Sequence, residues 1–201
     1  LLNDVSSLAV IRAKNTVLIK NNERVNADSV IADSLMFSET VEQPVLDENG
    51  EFTYDGKGNI VTQNVMMDYN GYLMVDGLYA ERVGAEYKEI SAPLHINKFD
   101  AGHGTVEFGM TVGYPITSSQ YFNALNYYNL VLSGGTMKLA QGDFGIEGAF
   151  TATSVEFSIA CNKPIVETAY YDRNKVTVTY NGMNQQINTQ VEYYALTLAS
   201  A

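Results

Sequence analysis

The chain of 201 residues has no tryptophan, one cysteine, two histidines, four prolines and only 12 basic residues. Each scarcity removes a class of protein. A single cysteine, Cys161, rules out an internal disulfide framework and a multi-cysteine zinc site. Twelve bases against 23 acids give a net charge of −11. That sign opposes the phosphate neutralisation on which nucleic-acid affinity depends, and it disfavours anionic membranes equally. No apolar run approaches the roughly 18 residues that a membrane span requires. The opening stretch LLNDVSSLAV has no basic n-region and soon meets Asn3 and Asp4, so it does not read as a signal peptide. There are 18 asparagines but no Asn-x-Ser/Thr sequon.

What remains is a neutral polar β-forming sequence. Charged residues are only 17% of the chain, while hydrophobic residues are 46%, enough for a sizeable core. The surface is therefore built largely from uncharged polar groups, with 14 tyrosines among them. Charge is unevenly placed. Between Arg24 and Lys57 there is no base, and Asp28, Asp33, Glu39, Glu42, Asp47, Glu48, Glu51 and Asp55 all fall in that window. Such a run reads as a solvated arm or as an acidic surface facing a partner.

Turn signals are dense. Asn49-Gly50, Asn70-Gly71 and Asn181-Gly182 are hairpin dipeptides, because type I′ turns need φ > 0 at both central positions. Asp55-Gly56 and Asp76-Gly77 are further candidates. Between the turns, apolar residues alternate. Val106, Phe108, Met110 and Val112 share one face, as do Val155, Phe157 and Ile159, and Val176, Val178 and Tyr180. A closing strand is expected at 191–198. In the tandem pair Tyr127-Tyr128, and in Tyr170-Tyr171 and Tyr193-Tyr194, strand geometry puts one ring in the core and its neighbour outside. Short strands with frequent turns predict a mainly β fold, an antiparallel sandwich or barrel.

One segment departs from this pattern. Thr117 and Gln120 make a capping-box pair after Pro115, and Tyr121, Leu125, Tyr128 and Leu132 follow at helical spacing before Gly134-Gly135. This predicts one α-helix over about 118–132. A weaker helical pattern lies in 2–12, where an extended arm is the alternative. The division expected is an N-terminal arm and acidic loop over 1–60 and a β-domain over 61–201. No internal repeat is apparent.

Chemistry-bearing groups are sparse. His95, Asp100 and His103 lie within nine residues of one another and are the one candidate metal set. Their spacing matches no standard site, and polar loop residues bonded to backbone are the preferred reading. Cys161 follows an alternating strand and reads as a small buried hydrophobe rather than a nucleophile. There is no Gly-x-Ser-x-Gly elbow, and Gly56-Lys57-Gly58 and Gly102-His103-Gly104 are corner glycines rather than a phosphate loop. No catalytic residue, cofactor or metal is assigned.

The acidic loop 28–57, strands 105–112 and 154–160 on either side of a helix at 118–132, and the closing strand 191–198 together resemble, in architecture, the tail-tube and head-decoration proteins of tailed bacteriophages. The resemblance implies a structural, non-enzymatic virion protein that contacts copies of itself and other virion proteins. In a tube it implies an acidic wall along which DNA slides without adhering. The alternatives are a monomeric ligand- or carbohydrate-binding β-domain, for which tyrosine and asparagine are suited, and a metal-assisted enzyme using His95, Asp100 and His103.

Overall fold

In a computed structural model, the described residues are 5–77, 79–83, 86–110, 119–134, 137–140, 144–152, 156–159, 165–171, 177–180 and 195–198. They are mainly strand, and none is helical. The pairing is parallel throughout the main body. In one sheet, strands Arg24–Met36, Tyr72–Val75, Thr105–Phe108, Asn129–Leu132 and Gly145–Ala152 lie side by side. In a second, Ser119–Phe122, Met137–Ala140, Glu156–Ile159, Thr177–Tyr180 and Ala195–Leu198 do the same.

The register shows how the chain travels. Val106 pairs with Leu130, Leu130 with Phe150, and Phe150 with Ala169. In the second sheet Tyr121 pairs with Leu139, Leu139 with Ser158, and Ser158 with Thr179. Each strand therefore meets its equivalent about 20 residues later, after the chain has visited the other sheet. That is a stack of coils, a parallel β-solenoid, in which each coil rests on the one before. Two early offsets are longer because hairpins leave the coil. One is the antiparallel pair Ser38–Pro44 with Thr62–Asp68, and the other is Tyr79–Val83 with Glu86–Ser91.

Stacking creates inner columns. Val25, Leu73, Val106, Leu130 and Phe150 lie in register, as do Ala27, Val75, Phe108, Leu132 and Ala152, and all ten are buried. Aromatic rings continue the core. Phe108 lies 5.7 Å from Phe122 and 6.2 Å from Tyr127, and Phe99 lies 5.6 Å from Tyr127, in tilted or edge-on contacts. The Tyr127 hydroxyl donates to the Asn123 carbonyl at 2.7 Å. Complete burial raises its phenol well above the ordinary tyrosine range.

Several expectations are corrected. The antiparallel sandwich or barrel is replaced by parallel stacked coils, because strand partners lie one coil away rather than across a tight turn. The helix over 118–132 is absent. Ser119–Phe122, Asn126–Tyr127 and Asn129–Leu132 are strands. The buried residues there are Phe122, Tyr127, Leu130 and Leu132, so the apparent helical spacing came from corners that interrupt period-two strands. Of the second helical pattern, Val5–Arg12 is a strand parallel to Arg24–Met36. Residues 5–36 thus belong to the stack, and the segment that leaves it runs from Ser38 to Asp68. Asn70-Gly71 makes no hairpin, since Thr62–Asp68 pairs with the arm and Tyr72–Val75 with the coils. Tyr127 is in the core and half-buried Tyr128 lies against His103 at 4.6 Å, which fits the strand reading of this pair and not the helical stripe that included Tyr128. Asn181-Gly182, Tyr193-Tyr194 and Cys161 lie outside the described residues.

Glycine marks where coils approach closely. A Cβ on Gly104 would clash with the Phe37 ring, and Phe37 is itself fully buried. Gly104→Ala must displace that ring. The expected cost is about 2 kcal/mol, read as a lower midpoint in thermal or urea unfolding.

Candidate functional site

Three polar arrangements stand out from the apolar stack, and the first is inside it. Gln120 and Lys138 are neighbours in register, and neither side chain is exposed. Gln120 Oε1 accepts from the Met110 N–H at 3.1 Å and from Lys138 Nζ at 2.9 Å. Its Nε2 donates to the carbonyls of Val75 and Gly77 at 3.0 and 2.9 Å. Lys138 also donates to the Met110 carbonyl at 3.2 Å. One carboxamide thus links three successive coils. Burial pushes the Lys138 ammonium down to about 7, against the opposing pull of Glu107.

The second lies on the outer face of the same coils. Glu107 is nearly buried and accepts from the hydroxyls of Tyr72 and Ser133. The Arg24 guanidinium covers the Tyr72 ring at 4.2 Å and stands 4.0 Å from Glu107. Close by in the stack, Asp28 has the carboxyl of Asp76 as a neighbour. Desolvation first, and then the interaction with Asp76, push Asp28 up to about 6.

The third is the arm. Its root is held by Lys20, whose ammonium pairs with Glu39 and lies 5.4 Å from the Tyr69 ring, while the Tyr69 hydroxyl donates to Glu39. From there seven residue pairs run antiparallel, Ser38 opposite Asp68 to Pro44 opposite Thr62. Beyond the ladder the chain makes two small loops in succession. Val45, Thr53 and Val61 join their bases: Thr53 N–H donates to Val45, Val61 N–H to Thr53 and Val45 N–H to Val61, each at 2.9 Å.

The loops are copies of one another. In the first, Asp47 Oδ1 accepts from the Asn49 and Glu51 N–H groups at 2.8 and 3.0 Å. In the second, Asp55 Oδ1 accepts from Lys57 and Asn59 at 2.8 and 2.9 Å. Gly50 and Gly58 sit at φ 82° and 84°, the left-handed region that favours glycine. Both aspartates are held below the usual carboxylate range, Asp47 by the donated N–H groups of Glu51 and Asn49, and Asp55 first by the Asn59 side chain and then by the N–H groups of Asn59 and Lys57. This eight-residue repeat, visible as Asp47/Asp55 and Gly50/Gly58, corrects the expectation of no internal repeat. Asn49-Gly50 and Asp55-Gly56 lie at turns but not of the type I′ kind expected, since of these four residues only Gly50 has a positive φ.

The loops also present apolar side chains to solvent. Leu46 and Phe52 face each other across the first, and Tyr54 and Ile60 across the second. They are 52%, 49%, 61% and 44% exposed, although the stack beside them buries smaller residues completely. No other described segment shows so many large apolar groups together.

The candidate metal set is not assembled. His95 and Asp100 sit at opposite ends of Leu94–Asp100, about 16 Å apart along an extended strand. Asp100 accepts from the Gly102 N–H at 3.1 Å, and His103 lies against Tyr128. Among the described residues no group of three His, Cys, Asp or Glu side chains is placed to hold a metal. Among them, too, no helix is long and apolar enough to cross a membrane. No protein-family model, no curated protein and no solved structure matches this chain. Its class is therefore defined by its own geometry: a stacked-coil parallel β-protein with a projecting arm.

The two shifted groups give opposite pH limbs. Asp28 binds more protons folded than unfolded between about pH 4 and 6, so stability falls as pH rises through that window. Lys138 binds fewer protons folded than unfolded between about 7 and 10.5, so stability rises with pH there. Thermal midpoints should therefore pass through a shallow minimum near pH 6 to 7. Asp28→Asn should flatten the acidic limb and stabilise at pH 7 by about 1 kcal/mol. Lys138→Met should flatten the alkaline limb. Gln120→Leu, which removes four buried hydrogen bonds, should cost about 3 kcal/mol.

Proposed function

We propose that this is a structural, non-catalytic β-protein that works by contacts between subunits, with the arm as its contact element. The observation that carries the reading is the quartet Leu46, Phe52, Tyr54 and Ile60, held exposed on a rigid, twice-capped tip. A contiguous apolar patch on an otherwise polar chain marks an interaction surface. Leaving such groups in water has a cost that a partner removes, since burying one large apolar side chain is worth about 1.5 to 3 kcal/mol. The side chains are also of contact type: aromatic rings supply area at low entropy cost.

The setting we propose is a virion, with copies of the chain and other virion proteins as partners. That setting rests on the composition and charge of the chain: a low charged fraction, many tyrosines and asparagines, and net acidity that keeps nucleic acid from adhering. A monomeric carbohydrate-binding role has less to support it. The ring of Tyr72, on the outer face of the coils, is already covered by Arg24.

The test replaces residues 45–61 by an Asn-Gly turn, which closes the ladder at Pro44 opposite Thr62. The stack keeps its core, so the thermal midpoint should move by less than about 3 °C. Self-association, followed by light scattering at rising concentration, should be lost. An intact chain that stays monomeric at every concentration and binds no viral particle would overturn the reading.

A further inference from the structure

The arm's chemistry specifies what it docks on, and the same chain carries a matching surface. From Ser38 to Asp68 the arm has seven acids, Glu39, Glu42, Asp47, Glu48, Glu51, Asp55 and Asp68, against one base, Lys57. Glu48 and Glu51 stand exposed beside Leu46 and Phe52. A second arm is therefore a poor partner for the tip, because like charges would face one another. The fitting surface is apolar at its centre and basic at its rim.

The first coil offers such a surface. A cavity of about 390 Å³ opens there over Ile11, Val17, Ile19 and Val25. These four side chains also belong to the hydrophobic core, so the cavity floor is continuous with it. Val10, 40% exposed, stands at the edge. Arg12 lines the cavity, and Lys14 follows two residues on; both are exposed. Neither has an ion-pair partner among the described residues. Glu23 is the one acid of the lining, and its carboxylate is engaged by the Lys20 N–H at 2.8 Å.

We propose that the tip of the arm docks into this first-coil cavity on a second copy of the chain. Phe52 and Leu46 enter the apolar floor, and Glu48 and Glu51 meet Arg12 and Lys14. Donor and acceptor surfaces are different patches, so the contact is heterologous. It either closes by reciprocal exchange into a dimer or continues into rings or filaments. The inference deepens the subunit-contact role proposed above and rests on it.

Charge reversal in the full chain tests it. Two variants are made, Arg12→Glu/Lys14→Glu and Glu48→Lys/Glu51→Lys, none of these side chains being in the core. Each alone should weaken self-association at least tenfold by sedimentation or light scattering, with circular dichroism and the thermal midpoint unchanged. Mixing the two variants should restore association, because the acidic arm of one then meets the basic cavity of the other. Wild-type association should weaken with added salt. If the wild type associates but neither reversal weakens it, or mixing restores nothing, the docking site is overturned while the subunit-contact role stands. If the wild type is monomeric throughout, both fall. An arm-to-cavity cross-link that forms at a rate independent of concentration would place the contact within one chain and overturn the second copy as occupant.

Discussion

No coil of this protein can bury its own inner face. A single turn of about 20 residues is one strand thick, and contacts across it, such as Phe108 with Phe122, are shielded only when coils lie above and below. The parallel ladder therefore decides everything else. Once Val25 is set opposite Leu73, the columns that continue through Val106, Leu130 and Phe150 follow from backbone geometry. A slip of one residue would turn every inner side chain outward. This also explains why hairpins can leave the stack between coils without disturbing it. The arm departs after Phe37 and returns at Tyr69, and the Tyr69 N–H donates to the Phe37 carbonyl at 2.7 Å. The coil is thereby closed across the insertion.

Polar groups inside such a stack are tolerated where they are hydrogen-bonded. Gln120 does this by adding side-chain partners to the backbone at Val75, Gly77 and Met110. Gln120 supplies both donors and an acceptor, and Lys138 adds its ammonium. The ion costs solvation, which its lowered pKa records. Its hydrogen bonds offset part of that cost. On the outer face the same economy appears in reverse. Glu107 is shielded by Tyr72, Ser133 and Arg24, so its charge is satisfied by neighbours from other coils.

The arm obeys different rules. It is antiparallel, thin and acidic, and its tip is ordered by aspartate caps rather than by a core. Caps without a core leave Leu46, Phe52, Tyr54 and Ile60 exposed. On the proposed reading, a preorganised contact element loses less entropy on docking than a floppy one, and the stack is the support from which the arm presents its surface.

By itself the sequence determined that the protein is mainly β, that alternation puts Val106, Phe108 and Met110 inside, and that acid concentrates between Arg24 and Lys57. Alternation and turn dipeptides are local, and local physics writes them. The eight-residue repeat at Asp47 and Asp55 was equally local and legible, but it is short and its intervening residues differ. Tertiary structure alone decided that the strands run parallel, because period-two alternation is the same whichever neighbour a strand finds. It also decided the fate of 118–132, where two corners imitate a helical period. The solitary polar core residues Gln120 and Lys138 became a pair only when coils about 18 residues apart were laid one upon the other. Pairing at a distance is set by which apolar columns can be built through the whole stack, and no window of sequence contains that information.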